Sequence, residues 1–368
     1  MRSRRRVVLA GGVIRTLRAD VGRPLGDGGR VGDGPIPKKR SPARVSVGSW
    51  ARFALVAAVL AACVGGQGRV PVAPAPSEQA SQSPPGPASN LDAKALDAAV
   101  RETLDALGEG ARAAVWLGGP TEGPWYSWQA DDPRPTASAI KTAFLVELFD
   151  RHAGSLSRRP MGLDAALADD HPAMAPYTPA QRVEIREALG SASARTLGRV
   201  MMGSDPAPNA VYNAAASAVT ALLGGPEGLT QAIRARDPAF ASFAVRRYML
   251  APRDVTGDNE ATAAAMAAVL QRLASGELSG VDGPTLDALR DALKTQNDHL
   301  DLKGRHHVKN GALDSDPVTR VESGWWETPS GRSIVYVVTL TRPASSGPAK
   351  DVQDASTRLT RRLLGAIR

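Results

Sequence analysis

Strand-like segments stand at both ends of the folding part of this chain, with a long Ala-rich helical stretch between them. Near its start, residues 111–119 (ARAAVWLGG) and 125–130 (WYSWQA) are β-rich runs around a Gly/Pro turn. Near its end, residues 306–312 (HHVKNGA), 319–328 (TRVESGWWET) and 333–340 (SIVYVVTL) read as three more strands. Between them, residues 138–300 are mostly of helical pattern, and a last helix covers about 349–367. A first helix is expected over LDAKALDAAVRETLDAL, capped by Asn90. The economical fold is α+β: one antiparallel sheet built from both chain ends, with an all-helical subdomain inserted. A cleft between the two parts is the default place for a site.

Residues 91–368 form this expected domain. Of the 368 residues, 43% are hydrophobic and 22% charged, which is ordinary for a globular chain, and there is no internal repeat. The formal net charge of +8 is misleading. Residues 1–63 hold thirteen Arg or Lys against three Asp, a net of +10, so the remainder carries −2. A nucleic-acid footprint needs cations gathered on a folded surface, so no nucleic-acid partner is expected.

The basic stretch reads as a leader. Phe53 to Ala62 are ten apolar residues in a row after Arg52. That is half of the ~20 a spanning helix needs, and fits the apolar core of a secretion signal. The run ends in Leu60-Ala61-Ala62-Cys63, at the only cysteine of the chain. This resembles a bacterial lipobox, which implies a signal peptide over 45–63, lipidation of Cys63, and a lipid-anchored protein of the cell envelope, secreted across the inner membrane. The alternative is a buried cysteine in a short core helix. One cysteine excludes an internal disulfide and a multi-cysteine zinc site. Residues 64–90 are rich in Pro, Ser, Gly and Gln and read as a disordered linker. Residues 1–44 show no period and are expected to be unstructured. Either the start codon is placed too early, with translation beginning near Val45 or Val47, or the leader is an extended one.

The chemistry is carried by three segments. Ser138-Ala139-Ile140-Lys141 is an S-x-x-K match at the start of a helix. Residues three apart share a helix face, so a desolvated Lys141 amine can take the Ser138 proton. The motif alone is weak, and a capping Ser with a surface Lys is its bland reading. Against that, Ile140, Phe144, Leu145, Leu148 and Phe149 make the helix apolar on most sides, where an unpaired Lys is costly. Next come Ser204-Asp205-Pro206 and Asn209, and then Lys309-Asn310-Gly311-Ala312 on a candidate strand.

This order, with separations of roughly 65 and 105 residues, resembles the Ser-x-x-Lys, Ser-Asp-Asn and Lys-[Thr/Ser]-Gly segments of class A β-lactamases. LGGPEGLTQAIR (223–234) and TPSGRSIVYVVTLTRP (328–343) extend the resemblance over nearly all of 91–368. It implies the β-lactamase/transpeptidase-like fold and acyl-serine chemistry on a β-lactam or a D-Ala-D-Ala-type peptide of peptidoglycan, by a monomer without metal or organic cofactor. Ser138 is then the nucleophile, Lys141 its base, and Ser204 the group that passes a proton to the leaving nitrogen. Lys309 attracts a substrate carboxylate beside Asn310 and Gly311, Asn209 adds an amide, and the N–H groups of Ser138 and Ala312 form the oxyanion hole.

Three departures qualify that expectation. Pro206 stands where the family has Asn, with the register of Ser204 one residue uncertain against Gly203. Asn310 replaces a hydroxyl, at a cost of about 1 kcal/mol or more in carboxylate binding. The segment that carries the water-activating Glu of the family is matched by Arg247-Tyr248-Met249, and Met249 cannot act as a base. Asp254, Asp258 or Glu260 would have to substitute; without one, release of the acyl group is slow. The competing readings are a penicillin-binding-type peptidase or other serine hydrolase on cell-wall material, and a non-catalytic binding lipoprotein on an eroded scaffold. Adjacent His306-His307 and Trp325-Trp326 face apart on a strand, which suits packing better than a metal site. Arg246 and Arg247 are expected in loop salt bridges.

Overall fold

The structure is a computed structural model that describes residues 91–294 and 298–367. The leader, the signal and Cys63, the linker 64–90 and Asn90 lie outside the described residues. Eight strands are formed: β1 (Arg112–Gly118), β2 (Pro124–Trp128), β3 (Arg134–Pro135), β4 (Glu260–Ala261), β5 (Arg305–Val308), β6 (Gly311–Leu313), β7 (Val318–Glu327) and β8 (Ser333–Arg342). The helices are α1 (Ala93–Leu107), α2 (Lys141–Arg151), α3 (Leu163–Ala166), α4 (Pro179–Leu189), α5 (Ala194–Met202), α6 (Asn209–Leu222), α7 (Gly225–Arg236), α8 (Arg253–Thr256), α9 (Ala263–Ser275), α10 (Gly283–Asp291) and α11 (Ala349–Gly365). Among the described residues no helix is long and apolar enough to cross a membrane.

The sheet follows the expected plan. Its order is β2-β1-β8-β7-β5, all antiparallel, with β6 also paired to β7. The first strands of the domain thus sit beside the last one. Alternation divides the side chains between two cores. Ala113, Val115, Leu117, Trp326, Tyr336 and Val338 pack with α1 and α11 on one face. Ala114, Trp116, Val321, Trp325, Val335 and Val337 join the helical core on the other. The two tryptophans therefore face apart, each stacked on a histidine across the ladder: His306 on Trp326 and His307 on Trp325, with centroids 5.8 and 4.2 Å apart.

Two local features differ from the sequence expectation. The strand over 306–312 is split at Lys309-Asn310, because the Asn310 side-chain oxygen, not a backbone carbonyl, accepts the Ser323 N–H at 3.2 Å. The first helix begins two residues later than Asn90 would place it, capped by Asp92, whose carboxylate accepts the Ala95 N–H at 3.1 Å.

The helical part is centred on α2, whose residues Lys141–Phe149 are all buried. Glu147 is among them, and its carboxylate meets Arg236 of α7 at 2.6 and 2.9 Å, while the same guanidinium reaches Asp150 at 2.7 Å. Removing Arg236 leaves the buried Glu147 carboxylate without its cation. Arg236→Ala is expected to lower the unfolding free energy by about 3 kcal/mol or more, read from urea melts. A loss below about 1 kcal/mol would mean that Glu147 finds solvent or a proton without it.

Candidate active site

Ser138 lies in a tight 3-10 turn, Ala137–Ile140, that runs directly into α2. In such a turn side chains three apart eclipse one another, so Ser138 and Lys141 share one face. The turn is pinned from two sides. Thr136 donates both its N–H and its hydroxyl to the Asn259 carbonyl, each at 3.0 Å. On the other side Gly311 of β6 lies so close that a β-carbon there would stand 2.5 Å from the Thr136 carbonyl oxygen and 3.0 Å from the Ala139 nitrogen. Only glycine permits that approach. Between them Ala137 takes a φ of +49°, a conformation that a non-glycine residue holds only under tertiary constraint.

Lys141 has no exposed surface. Among the described residues its amine meets no carboxylate. It donates to the Asn213 side-chain oxygen at 3.0 Å and lies 3.4 Å from the centroid of the Tyr212 ring. Burial, and secondarily the charge of Lys309, holds its pKa well below the ordinary lysine value. Asn213 is in turn oriented by Asn209, whose carbonyl and side-chain oxygens each accept the Asn213 amide at 3.0 Å. Lys309 donates to the Asn310 carbonyl at 3.0 Å and stands 5.3 Å from the same Tyr212 ring. The two lysines are therefore both drawn to one aromatic ring.

These groups open on a cleft of about 590 Å³ lined by Ser138, Asn209, Tyr212, Asn213, Met249 and Asn310, with Gly311 and Ala312 along its edge. A second lobe, bordered by Gly203, Pro206, Lys294 and Lys309, adjoins it at Tyr212 and Asn310. Ser138, Lys141, Asn209, Lys309, Asn310, Gly311 and Ala312 are thus brought together as expected.

Ser204 is not. It borders neither lobe, and its hydroxyl donates to the Ala292 carbonyl at 2.5 Å. The loop before α6 holds it there: its N–H and that of Asp205 donate to the Arg199 carbonyl, and the Arg199 side chain reaches Asp205 at 2.9 Å. The proton-passing role expected of Ser204 has no geometric support. Tyr212 and Asn213, one turn into α6, stand over Lys141 instead. Sequence reasoning missed both, because it aligned on Ser-Asp and not on the polar pair that a buried lysine would require.

The loop between α7 and α9 forms the far wall. Asp258 is buried between Arg247 at 2.8 Å and Arg253 at 2.6 Å, and Glu260 pairs with Arg246 at 2.6 Å. Asp254 is exposed and lines no part of the cleft. Met249 is buried against the cleft, its N–H donated to the Ser217 hydroxyl at 3.1 Å. Neither ion-paired carboxylate is placed to replace it as a base. Two carboxylates that border the cleft went unnoticed in the sequence: Glu322, buried on β7 and paired with His299 at 2.9 Å, and Asp314, exposed and paired with Arg320. Among the described residues no group of three or more His, Cys, Asp or Glu side chains is arranged to hold a metal ion.

The fold is that of known serine β-lactamases. A β-lactamase from Chitinophaga pinensis superposes with a TM-score of 0.55 at 16% identity, over 73% of this chain and 99% of its own. A β-lactamase from Desulfarculus baarsii gives 0.56 at 18%, over 75% and 99%. A mutant of PBP-A, captured as an acyl-enzyme complex with penicillin G, gives 0.54 at 18%, over 74% and 97%. At these identities the likeness speaks for the fold alone. No curated protein matches the sequence significantly. The sequence model of the β-lactamase enzyme family matches residues 95–367, nearly the whole of the described domain, and so the chain belongs to the β-lactamase enzyme family.

Proposed function

We propose that this protein is an acyl-serine hydrolase that takes a β-lactam or a D-Ala-D-Ala-type amide onto Ser138 and releases it slowly. The observation that carries the reading is Lys141: fully buried, paired with no carboxylate among the described residues, its pKa pushed well below the ordinary lysine value, beside the only serine that lines the cleft among the described residues. A neutral amine at that place takes the hydroxyl proton as Ser138 Oγ attacks the carbonyl carbon. On this reading the N–H groups of Ser138, on the turn, and Ala312, on the strand that Gly311 presses against it, would receive the developing oxyanion. Lys309 supplies the positive charge that draws a substrate carboxylate. Slow release follows from the far wall, where Met249 offers a thioether to the position of a water-activating base. PBP-A, whose acyl-enzyme with penicillin G shares this fold, gives the precedent for a trapped acyl group. In the envelope, anchored through Cys63, such a protein would meet both antibiotics and peptidoglycan stems.

Intact-mass measurement of the full-length chain with a labelled penicillin tests this. The wild type is expected to gain one stable adduct, absent from Ser138→Ala and formed at least ~100-fold more slowly by Lys141→Ala. Turnover without an adduct would mean that another group activates water. No adduct and no turnover would remove β-lactams from the substrate list. Met249→Glu is expected to shorten the life of the adduct by ~10²-fold, the usual worth of a placed general base. An unchanged lifetime would mean that the far wall is too distant from the ester.

The lowered pKa of Lys141 has a thermodynamic signature. Its folded pKa is lowered, so between that value and the ordinary 10.5 the unfolded chain binds a proton that the native chain lacks. Stability then rises with pH through this window. Lys141→Met removes the effect. The variant is expected to be more stable than wild type at pH 7, and the gap should close as pH approaches 10.5. A pH-independent gap between the two melting curves would show Lys141 to be charged in the fold.

A further inference from the structure

We propose that Tyr212 serves the reaction through the face of its ring, which stabilises the ammonium formed on Lys141 when that residue takes the Ser138 proton. The proposal rests on the acyl-serine reading above. It begins from a charge with nowhere to go. Once Lys141 accepts a proton it is a cation with no exposed surface and no carboxylate partner among the described residues. The carboxylates that border the cleft are engaged elsewhere: Asp258 with Arg247 and Arg253, Glu322 with His299, and Asp314 with Arg320. What Lys141 does meet is the Tyr212 ring, 3.4 Å from Nζ to the centroid, and the Asn213 side-chain oxygen at 3.0 Å.

That pair of contacts suits both states of the amine. A neutral amine has two hydrogens and one electron pair. Asn213 Oδ1 can take one hydrogen and the ring face the other, which leaves the electron pair for Ser138, three residues back on the same turn. When the proton arrives, the attraction between the ring quadrupole and the nitrogen grows with the charge. An interaction that strengthens as charge develops lowers the barrier, whereas a carboxylate at this place would hold Lys141 protonated from the start. Tyr212 acts here through Lys141, as a positioning residue, and the contact is made by its ring and not its hydroxyl.

The charges around this pair come from several elements. Lys309, at the break between β5 and β6, stands 5.3 Å from the ring centroid, and its charge opposes protonation of Lys141. At the ring edge, Tyr212 Cε2 and Lys294 Cε lie 3.5 and 3.3 Å from where a Gly203 β-carbon would stand. α6 itself carries no charged side chain. On the other helices packed against α2, Arg199 of α5 reaches Asp205 and Asp291, and Arg236 of α7 reaches Glu147 and Asp150. Arg272 of α9 pairs with Asp237, and Arg290 of α10 donates to the Leu273 carbonyl.

The protons balance. Ser138 Oγ bonds to the carbonyl carbon as its proton passes to the electron pair of Lys141 Nζ. The bond from that carbon to the leaving atom then breaks with its electron pair on the leaving atom. A leaving nitrogen takes a proton from solvent, and Lys141 returns one to solvent.

Substitution separates ring from hydroxyl. Acylation of the full-length protein by a labelled penicillin and by a nitrophenyl ester is followed by intact mass across pH, and the effects are expected with whichever reacts. Tyr212→Leu should slow acylation by ~30-fold, the worth of a desolvated cation–π contact, while Tyr212→Phe stays within ~3-fold of wild type. Stepwise fluorination of the ring in Tyr212→Phe keeps its shape and withdraws negative charge from its face, so the rate should fall with each fluorine. Without the ring the ammonium is less favoured. The acid limb set by Lys141 should therefore move to lower pH in Tyr212→Leu and stay in place in Tyr212→Phe. Equal losses in Tyr212→Phe and Tyr212→Leu would make the hydroxyl the working part and overturn the proposal. A rate indifferent to fluorination, or an acid limb that does not move down in Tyr212→Leu, would overturn it too. Each of those results leaves Ser138 as nucleophile. Wild type unreactive with both substrates would sink the acyl-serine reading, and this step with it.

Discussion

Everything at the site depends on an ammonium-bearing side chain sealed inside an apolar helix. Lys141 is the first residue of α2, and the eight that follow are buried with it. In such surroundings the charged form is disfavoured, and nothing nearby repairs the loss with a carboxylate. The contacts that remain are an amide oxygen from Asn213 and the face of Tyr212, both from α6. They hold the nitrogen in place without neutralising an opposite charge. That is the environment of an amine that is to accept protons. A lysine kept only for stability would be paired or would reach the surface.

The sheet supplies the other half of the constraint. Because β1 and β2 are laid against β8, and β8 against β7, the C-terminal strands are fixed before β6 meets the Ser138 turn. Gly311 then sets the distance. A methyl at that place would collide with the Thr136 carbonyl, and the turn could not sit against the strand. The same turn is tied through Thr136 to Asn259, whose side-chain oxygen accepts the N–H groups of Arg246 and Arg247 at 2.8 and 3.1 Å. The Ser138 turn is therefore hydrogen-bonded to the far wall and packed directly on the sheet edge. Strain such as the positive φ of Ala137 persists only in a unit held from several sides.

Much of this was legible in the sequence. Period-two runs at both ends and the helical middle specify the sheet and its insertion, and Ser138, Lys141 and Lys309 to Ala312 were readable as short motifs. The missing pieces share a physical cause. A motif reading treats Ser204-Asp205 as a segment of fixed direction, but where its hydroxyl points is decided by Arg199 and Ala292, one of them 88 positions away. Tyr212 and Asn213 match no pattern, since their use depends on how α6 crosses α2. Glu322 sits in an apolar strand pattern, and its pairing with His299 is a contact across 23 residues. The ion pairs of Arg246 and Arg247 were readable, because basic pairs in a loop with three nearby carboxylates have local partners.

The same ion pairs explain why the far wall does not supply a base. A carboxylate can activate water only if it is free to gain a proton, and Asp258 is bound by two guanidiniums in a site with little access to solvent. Protonating it would strand both arginines, so it serves the loop and not the chemistry. Glu260 is committed to Arg246 in the same way. The loop carboxylates are thus committed to holding this wall of the cleft still. Glu322 is held differently, buried on β7 with the His299 ring 2.9 Å away, so one wall of the cleft is locked by guanidiniums and another is closed by an imidazole.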